Sequence, residues 1–269
     1  MAGIEQALTF KDPAGHAVSG ILASPPDGSD RLAVLSHGFL SNKNSHTNQT
    51  LTELLVPQGI ATFRFDFFGQ GESEGPFERI TVSLAVSQAL AALDLMSSKG
   101  YRKLALVGSS FGGLVALLAG AKWPKLSCLA LKCPVPDFPE MLQLEFGEAG
   151  MARWKATDTI PNVVPGGSGR IKLAYAFYED SLCYSGYDAA KVITASTLIV
   201  QGAHDEYVPP HQILKLSESL GGPNSVAWLP DADHHFSKPE DFQLMTTLLS
   251  NWVADHLNGP TPPSQLNRK

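Results

Sequence analysis

The sequence predicts an α/β protein whose mostly parallel central sheet is covered by helices on both faces. Three observations carry this. From residue 32 onward, short apolar runs alternate with longer helical stretches. The short runs are continuously apolar, as expected of strands buried on both faces. The chain has 269 residues, 43% of them hydrophobic and 17% charged, which suits one large domain with a real core.

The elements follow in order. VSGILA at 18–23 and LAVLS at 32–36 are strands, the second running into His37-Gly38. Residues 45–56 form a helix that ends at Pro57. IATFRF at 60–65 is a strand leading into Asp66. Residues 82–98, rich in Ala and Leu, are helical and close at Gly100. KLALV at 103–107 is a strand, and 111–121 is a helix that follows it at once. Strands come next at 126–132 and at 197–201 (TLIVQ). A helix at 210–220, a strand at 225–229 and a closing helix at 242–257 complete the series. No internal repeat is present.

One segment breaks this rhythm. Residues 134–191 contain five prolines, Pro134, Pro136, Pro139, Pro161 and Pro165. They also carry Trp154, Tyr175, Phe177, Tyr178, Tyr184 and Tyr187. A structureless loop of this length does not suit a compact domain, so a partly helical lid is expected. The division is then a core of 1–133 and 192–258, a lid or cap of 134–191, and a tail of 259–269. The tail is Pro-rich and polar and is expected to be disordered. The aromatic residues of the lid suit either an apolar acyl pocket or a small core of the lid itself.

The net charge of −6 argues against nucleic acid or an anionic lipid surface as the partner. No stretch approaches the ~18 apolar residues of a membrane span. The three cysteines, Cys128, Cys133 and Cys183, fit no zinc or redox spacing and read as free thiols. The N-terminal residues lack the basic start and apolar stretch of a signal peptide, so a cytoplasmic protein is expected. It would act as a monomer or homodimer.

Gly108-Ser109-Ser110-Phe111-Gly112 matches G-x-S-x-G between a strand and a helix. The motif has a mechanical reason. An abrupt strand-to-helix turn exposes the serine hydroxyl, and its flanks must be small where backbone passes close by. Ser110 is the candidate nucleophile, and the Phe111 N–H beside it is a candidate oxyanion donor at a helix N-terminus. A serine needs a base. On such a turn the acid and then the histidine follow the serine in the chain. That order removes His16, His37 and His46. Asp205 ends the 197–201 strand after a short loop and is the candidate acid, with Glu206 next to it pointing elsewhere. The base follows the 225–229 strand, where His234 and His235 stand side by side. His204, Asp205, Glu206 and His211 lack any zinc spacing, so no metal or other cofactor is expected.

Four motifs together resemble the α/β-hydrolase superfamily, in particular small serine esterases similar to bacterial cinnamoyl (feruloyl) esterases and serine-aminopeptidase-like hydrolases. They are Ser36-His37-Gly38-Phe39, the Asp66-Phe67-Phe68-Gly69-Gln70-Gly71-Glu72-Ser73 turn, the serine motif, and Ala232-Asp233-His234-His235-Phe236. The resemblance lapses over 134–191. It implies an α/β-hydrolase fold and His234, not His235, as the base. It further implies the Phe39 N–H as second oxyanion donor, His37 as a brace for that loop, and Asp66 as a structural residue of its turn. The implied activity is hydrolysis of a small-molecule carboxylic ester through an acyl-enzyme. Thioester or amide hydrolysis, acyl transfer and a non-catalytic binding role remain as alternatives on the same fold.

Overall fold

A computed structural model describes residues 3–162 and 168–259. The expected disordered tail lies outside the described residues, apart from Gly259. The sheet has eight strands: β1 (Ile4–Lys11), β2 (Ala17–Ser24), β3 (Arg31–Ser36), β4 (Ala61–Phe65), β5 (Lys103–Ser109), β6 (Leu126–Lys132), β9 (Ser196–Gly202) and β10 (Asn224–Leu229). Their order is β1-β2-β4-β3-β5-β6-β9-β10. Pairing is antiparallel between β1, β2 and β4 and parallel from β4 to β10. Strands β3, β4, β5, β6 and β9 are buried over nearly their whole length, which is why they read as unbroken apolar runs.

Helices cover both faces. On one side lie α1 (His46–Leu55) and α8 (Pro239–Asn258), whose Leu51, Leu55, Met245, Leu249, Val253 and Leu257 close a core against Ala33, Leu35, Val107 and Val200. On the other lie α2 (Val82–Ser98), α3 (Phe111–Gly120), α6 (Gly186–Val192) and α7 (Pro210–Ser219). Their Val86, Leu93, Leu114, Ala190 and Leu216 pack into the larger core. Ser45 and Thr81 cap α1 and α2, each accepting an N–H three residues on.

The chain between β6 and β9 holds α4 (Phe138–Thr157), a two-stranded ribbon of β7 (Thr159–Pro161) and β8 (Arg170–Lys172), α5 (Ala176–Ser181) and α6. Two polar anchors tie it to the main body. Asp180 accepts from both the Ser83 N–H and its hydroxyl at the start of α2. Glu140 accepts from Gln212 on α7 at 2.7 Å and lies 3.0 Å from His211. Helix α6 packs against α3 and α7. Of the six aromatic side chains singled out above, Trp154, Phe177, Tyr178 and Tyr187 are buried and Tyr175 and Tyr184 half-buried; Trp154 meets Tyr175 and Tyr178 edge-on and Phe177 at a tilt. Trp154 also donates to the Leu173 carbonyl. None of the six lines the cavity described below.

The order of strands fixes where a ligand can sit. From β3 the chain steps to β4 on one side, then returns to β5 on the other. This reversal opens a crevice at the carboxyl ends of β3 and β5, the place where open α/β sheets bind ligands. The loops bearing Phe39 and Ser110 both start there. Among the described residues, no helix is long and apolar enough to cross a membrane.

Candidate active site

Ser110 sits on the turn between β5 and α3 with φ 52° and ψ −116°, a region that side chains with a Cβ rarely occupy. The turn is possible only because its flanks are glycine. A Cβ on Gly108 would lie 2.3 Å from the Gly112 carbonyl oxygen, and one on Gly112 would lie 2.4 Å from the His37 carbonyl oxygen. The strain holds the hydroxyl out of the helix and into the crevice.

His234 lies in the loop after β10, buried at 5% exposure. Its Nε2 is 3.0 Å from Ser110 Oγ and its Nδ1 is 2.8 Å from Asp205 Oδ2. A carboxylate can only accept, so Nδ1 carries the proton and Nε2 is free to accept from the serine. Asp205 follows β9 and is held by three further donors. Its Oδ1 accepts from the Tyr207 and Val208 N–H groups at 2.9 and 2.8 Å, and its Oδ2 accepts from Gln201 Nε2 at 2.7 Å. Burial alone would raise its pKa. The hydrogen bond and charge of His234 and the two backbone donors overcome that and bring it down to about 2. This pull stabilises the fold above the unfolded carboxyl range near 4 and is lost only as pH falls towards 2.

The adjacent histidine takes a different place. His235 is exposed, with its ring perpendicular to that of His234 at 5.3 Å. His204 is exposed, His211 pairs with Glu140, and His256 bonds the Trp252 carbonyl. Only His234 among these reaches both Ser110 and Asp205.

The Phe111 N–H opens α3 and has no intrahelical acceptor. The Phe39 loop runs beside it: a Cβ on Gly38 would stand 3.6 Å from Ser110 Cβ, and the Phe39 and Phe111 rings pack edge-on at 5.8 Å. His37 braces this loop from below. Its Nδ1–H donates to the Gly38 carbonyl at 2.7 Å, and its Nε2 accepts the Phe67 N–H at 3.2 Å. Burial pushes its pKa down to about 4, so the ring is a neutral strut. Asp66 plays the matching part in its own turn, accepting the backbone N–H groups of Lys43 and Glu72 and the Lys43 ammonium.

These groups open onto a cavity of about 650 Å³. One wall is the apolar face of α4, Phe138, Met141, Leu142 and Phe146, completed by Val135 and Ile160. These positions recur at helical spacing, so one face of α4 looks into the cavity. The opposite wall holds Ser41, His46, Ser237 and Phe242, with the His46 and Phe242 rings stacked at 4.2 Å. Of two further contributors, the first was not singled out from sequence and the second was named there only to be set aside. Lys132 ends β6 and lines the cavity, and Glu206 accepts the His234 N–H at 3.2 Å. The polar last residue of an otherwise apolar strand, LSCLALK, was the available signal for Lys132. Cys133 Sγ also lies close to Asp205 and His234, the three ligand atoms all within 4.8 Å. Asp205 and His234 engage each other, and burial raises the thiol far above its usual range. The cluster therefore suits hydrogen bonding better than metal ligation.

Comparison with known proteins agrees with this architecture. Residues 33–242 match the family described as "Alpha/beta hydrolase family". A rat protein named "Palmitoyl-protein thioesterase ABHD10, mitochondrial" is 24% identical over 226 residues, covering 80% of this chain and 73% of its own. An Escherichia coli uncharacterized 31.7 kDa protein from the traX-finO intergenic region is 21% identical, covering 93% and 96%. Among solved structures, Est1E from Butyrivibrio proteoclasticus with ferulic acid bound superposes with a TM-score of 0.82 at 21% identity, covering 94% of this chain and all of that one. Mouse alpha/beta hydrolase domain-containing protein 10 gives 0.78 at 20% identity, covering 92% and 98%. The family match spans the loop after β3, the strained serine turn, and the strand ends that carry Asp205 and His234, and the chain belongs to the alpha/beta hydrolase family.

Proposed function

We propose that this chain is a serine hydrolase that cleaves carboxylic esters through an acyl-enzyme. The observation that carries the reading is the unbroken relay Asp205–His234–Ser110, at 2.8 and 3.0 Å, opening onto a largely apolar cavity. Ser110 Oγ attacks the ester carbonyl as His234 Nε2 takes its proton. The Phe39 and Phe111 N–H groups receive the developing oxyanion. His234 then returns the proton to the departing alcohol, and water repeats the sequence to release the acid. Asp205, ionised throughout the working range, orients the imidazole and stabilises it when charged.

Thioester hydrolysis is the second reading. It is favoured by the mammalian relatives named palmitoyl-protein thioesterase and by the apolar α4 wall, which suits a hydrocarbon acyl group. The same relay serves both leaving groups. The three free cysteines suit a reducing compartment such as the cytoplasm.

A fluorophosphonate probe tests the reading. Stoichiometric labelling on the peptide containing Ser110 is expected; an unlabelled, folded protein would reject it. A panel of matched esters, thioesters and anilides then ranks the leaving groups by kcat/KM. The segment 134–191 is proposed to act as the lid that sets acyl preference. Leu142→Trp, which fills the α4 wall, should lower kcat/KM for p-nitrophenyl octanoate relative to the acetate by about tenfold or more. An unchanged ratio would remove α4 from the acyl site.

A further inference from the structure

We infer that Lys132 is a positioning residue that ties the backbone of the nucleophile to the backbone of the base; this rests on the serine-hydrolase reading above. Its main-chain carbonyl accepts the Ser110 N–H at 2.9 Å. Its side chain runs in the other direction, and Nζ donates to the His234 carbonyl at 2.6 Å. One residue thus holds, by its two ends, the peptide units of two groups 124 positions apart in sequence.

The surroundings make this arrangement costly, which is why it calls for an explanation. Lys132 is 6% exposed and makes no ion pair among the described residues. A buried ammonium is normally neutralised by a carboxylate in contact. Here Asp205 and Glu206 from the loop after β9, Asp233 from the loop after β10 and the neighbouring Cys133 act on it only through space. The Phe236 ring lies 5.3 Å from Nζ, completing its shell. Among the described residues, the one hydrogen-bond acceptor it meets is the His234 carbonyl. Glu206 accepts the N–H of the same residue, so the His234 peptide is held between an ammonium on its oxygen and a carboxylate on its nitrogen. The loop needs such a hold: Phe236, two residues on, has φ 55°. The ring of His234 must meet Ser110 to within a fraction of an ångström, and its side-chain bonds alone do not set where its Cα lies.

The test is kinetic. Lys132→Met keeps length and bulk and removes the donor. It should lower kcat for a p-nitrophenyl ester by about 100-fold, with KM within about threefold, because a 1 Å displacement of a reacting group costs that much while the apolar α4 wall is untouched and methionine keeps the bulk that lysine presents to the cavity. The rate of fluorophosphonate labelling should fall in parallel. Lys132→Ala opens space beside the cavity. Ethylammonium, but not ethanol, should raise its kcat by about tenfold, a response that loss of packing alone does not give. Lys132→Ala also serves as the second variant should the methionine form fail to fold. A folded Lys132→Met with kcat within about threefold of wild type overturns the inference, as does a Lys132→Ala whose low kcat ignores ethylammonium. Wild-type protein that carries no label on Ser110 overturns the serine-hydrolase reading itself, which separates the two failures.

Discussion

Ser110→Ala is expected to leave a folded protein and to lower ester turnover by about 10³-fold or more. The methyl group of alanine occupies the same turn, and Ser110 donates no side-chain bond that caps α3, so the helix loses nothing. What is lost is the nucleophile. Water can still enter a cavity whose proposed oxyanion donors and acyl wall are intact, so a residual rate above the uncatalysed one should remain. Turnover by the purified variant on p-nitrophenyl esters, with far-UV dichroism to verify the fold, gives the measurement. Near-normal activity would remove Ser110 from the mechanism.

Replacing His234 with Ala should cost several orders of magnitude in kcat/KM, whereas His235→Ala should cost about tenfold or less. The two rings lie with their planes perpendicular, 5.3 Å apart. One is buried against Asp205 and Ser110, and the other faces solvent beside Tyr207. Only the first can take the serine proton on Nε2 while its Nδ1–H stays hydrogen-bonded to a carboxylate. The pair is a strict test of register, because a one-residue slip would exchange the two phenotypes. An inactive His235→Ala with an active His234→Ala would show that slip. High activity in both would send the search for a base elsewhere.

What was legible in the sequence follows from burial. β3 to β6 and β9 are covered on both sides, so each is a run of apolar residues no helix would need. β1 was missed because it is an edge strand with most of its residues exposed, leaving little apolar signal in IEQALTFK. Helix α4 was hidden by its own punctuation. It opens on Phe138-Pro139, with Asp137 as cap, and Gly147 breaks it midway with φ 60° and ψ 175°. The serine turn was readable because steric demands write themselves into flanking glycines. Lys132 and Glu206 were not, since each acts on the main chain of His234, 102 and 28 positions away, and any residue has a main chain. For Lys132 the sequence offered only a lysine closing a largely apolar strand, which does not name the group it holds.

The backbone at Ser110 has a thermodynamic consequence. A residue with a Cβ held at φ 52° and ψ −116° carries about 1–3 kcal/mol of conformational energy that the rest of the fold must offset. Glycine would release it, at a cost of about 0.5–1 kcal/mol in the greater freedom of the unfolded chain. Ser110→Gly should therefore melt about 2–4 °C above wild type while being as inactive as Ser110→Ala, whose melting point stays near wild type because alanine keeps the strain. A calorimetric comparison of the three proteins measures the strain at this turn net of the cost of glycine, and equal melting points for all three would mean that the strain does not exceed that cost of about 0.5–1 kcal/mol.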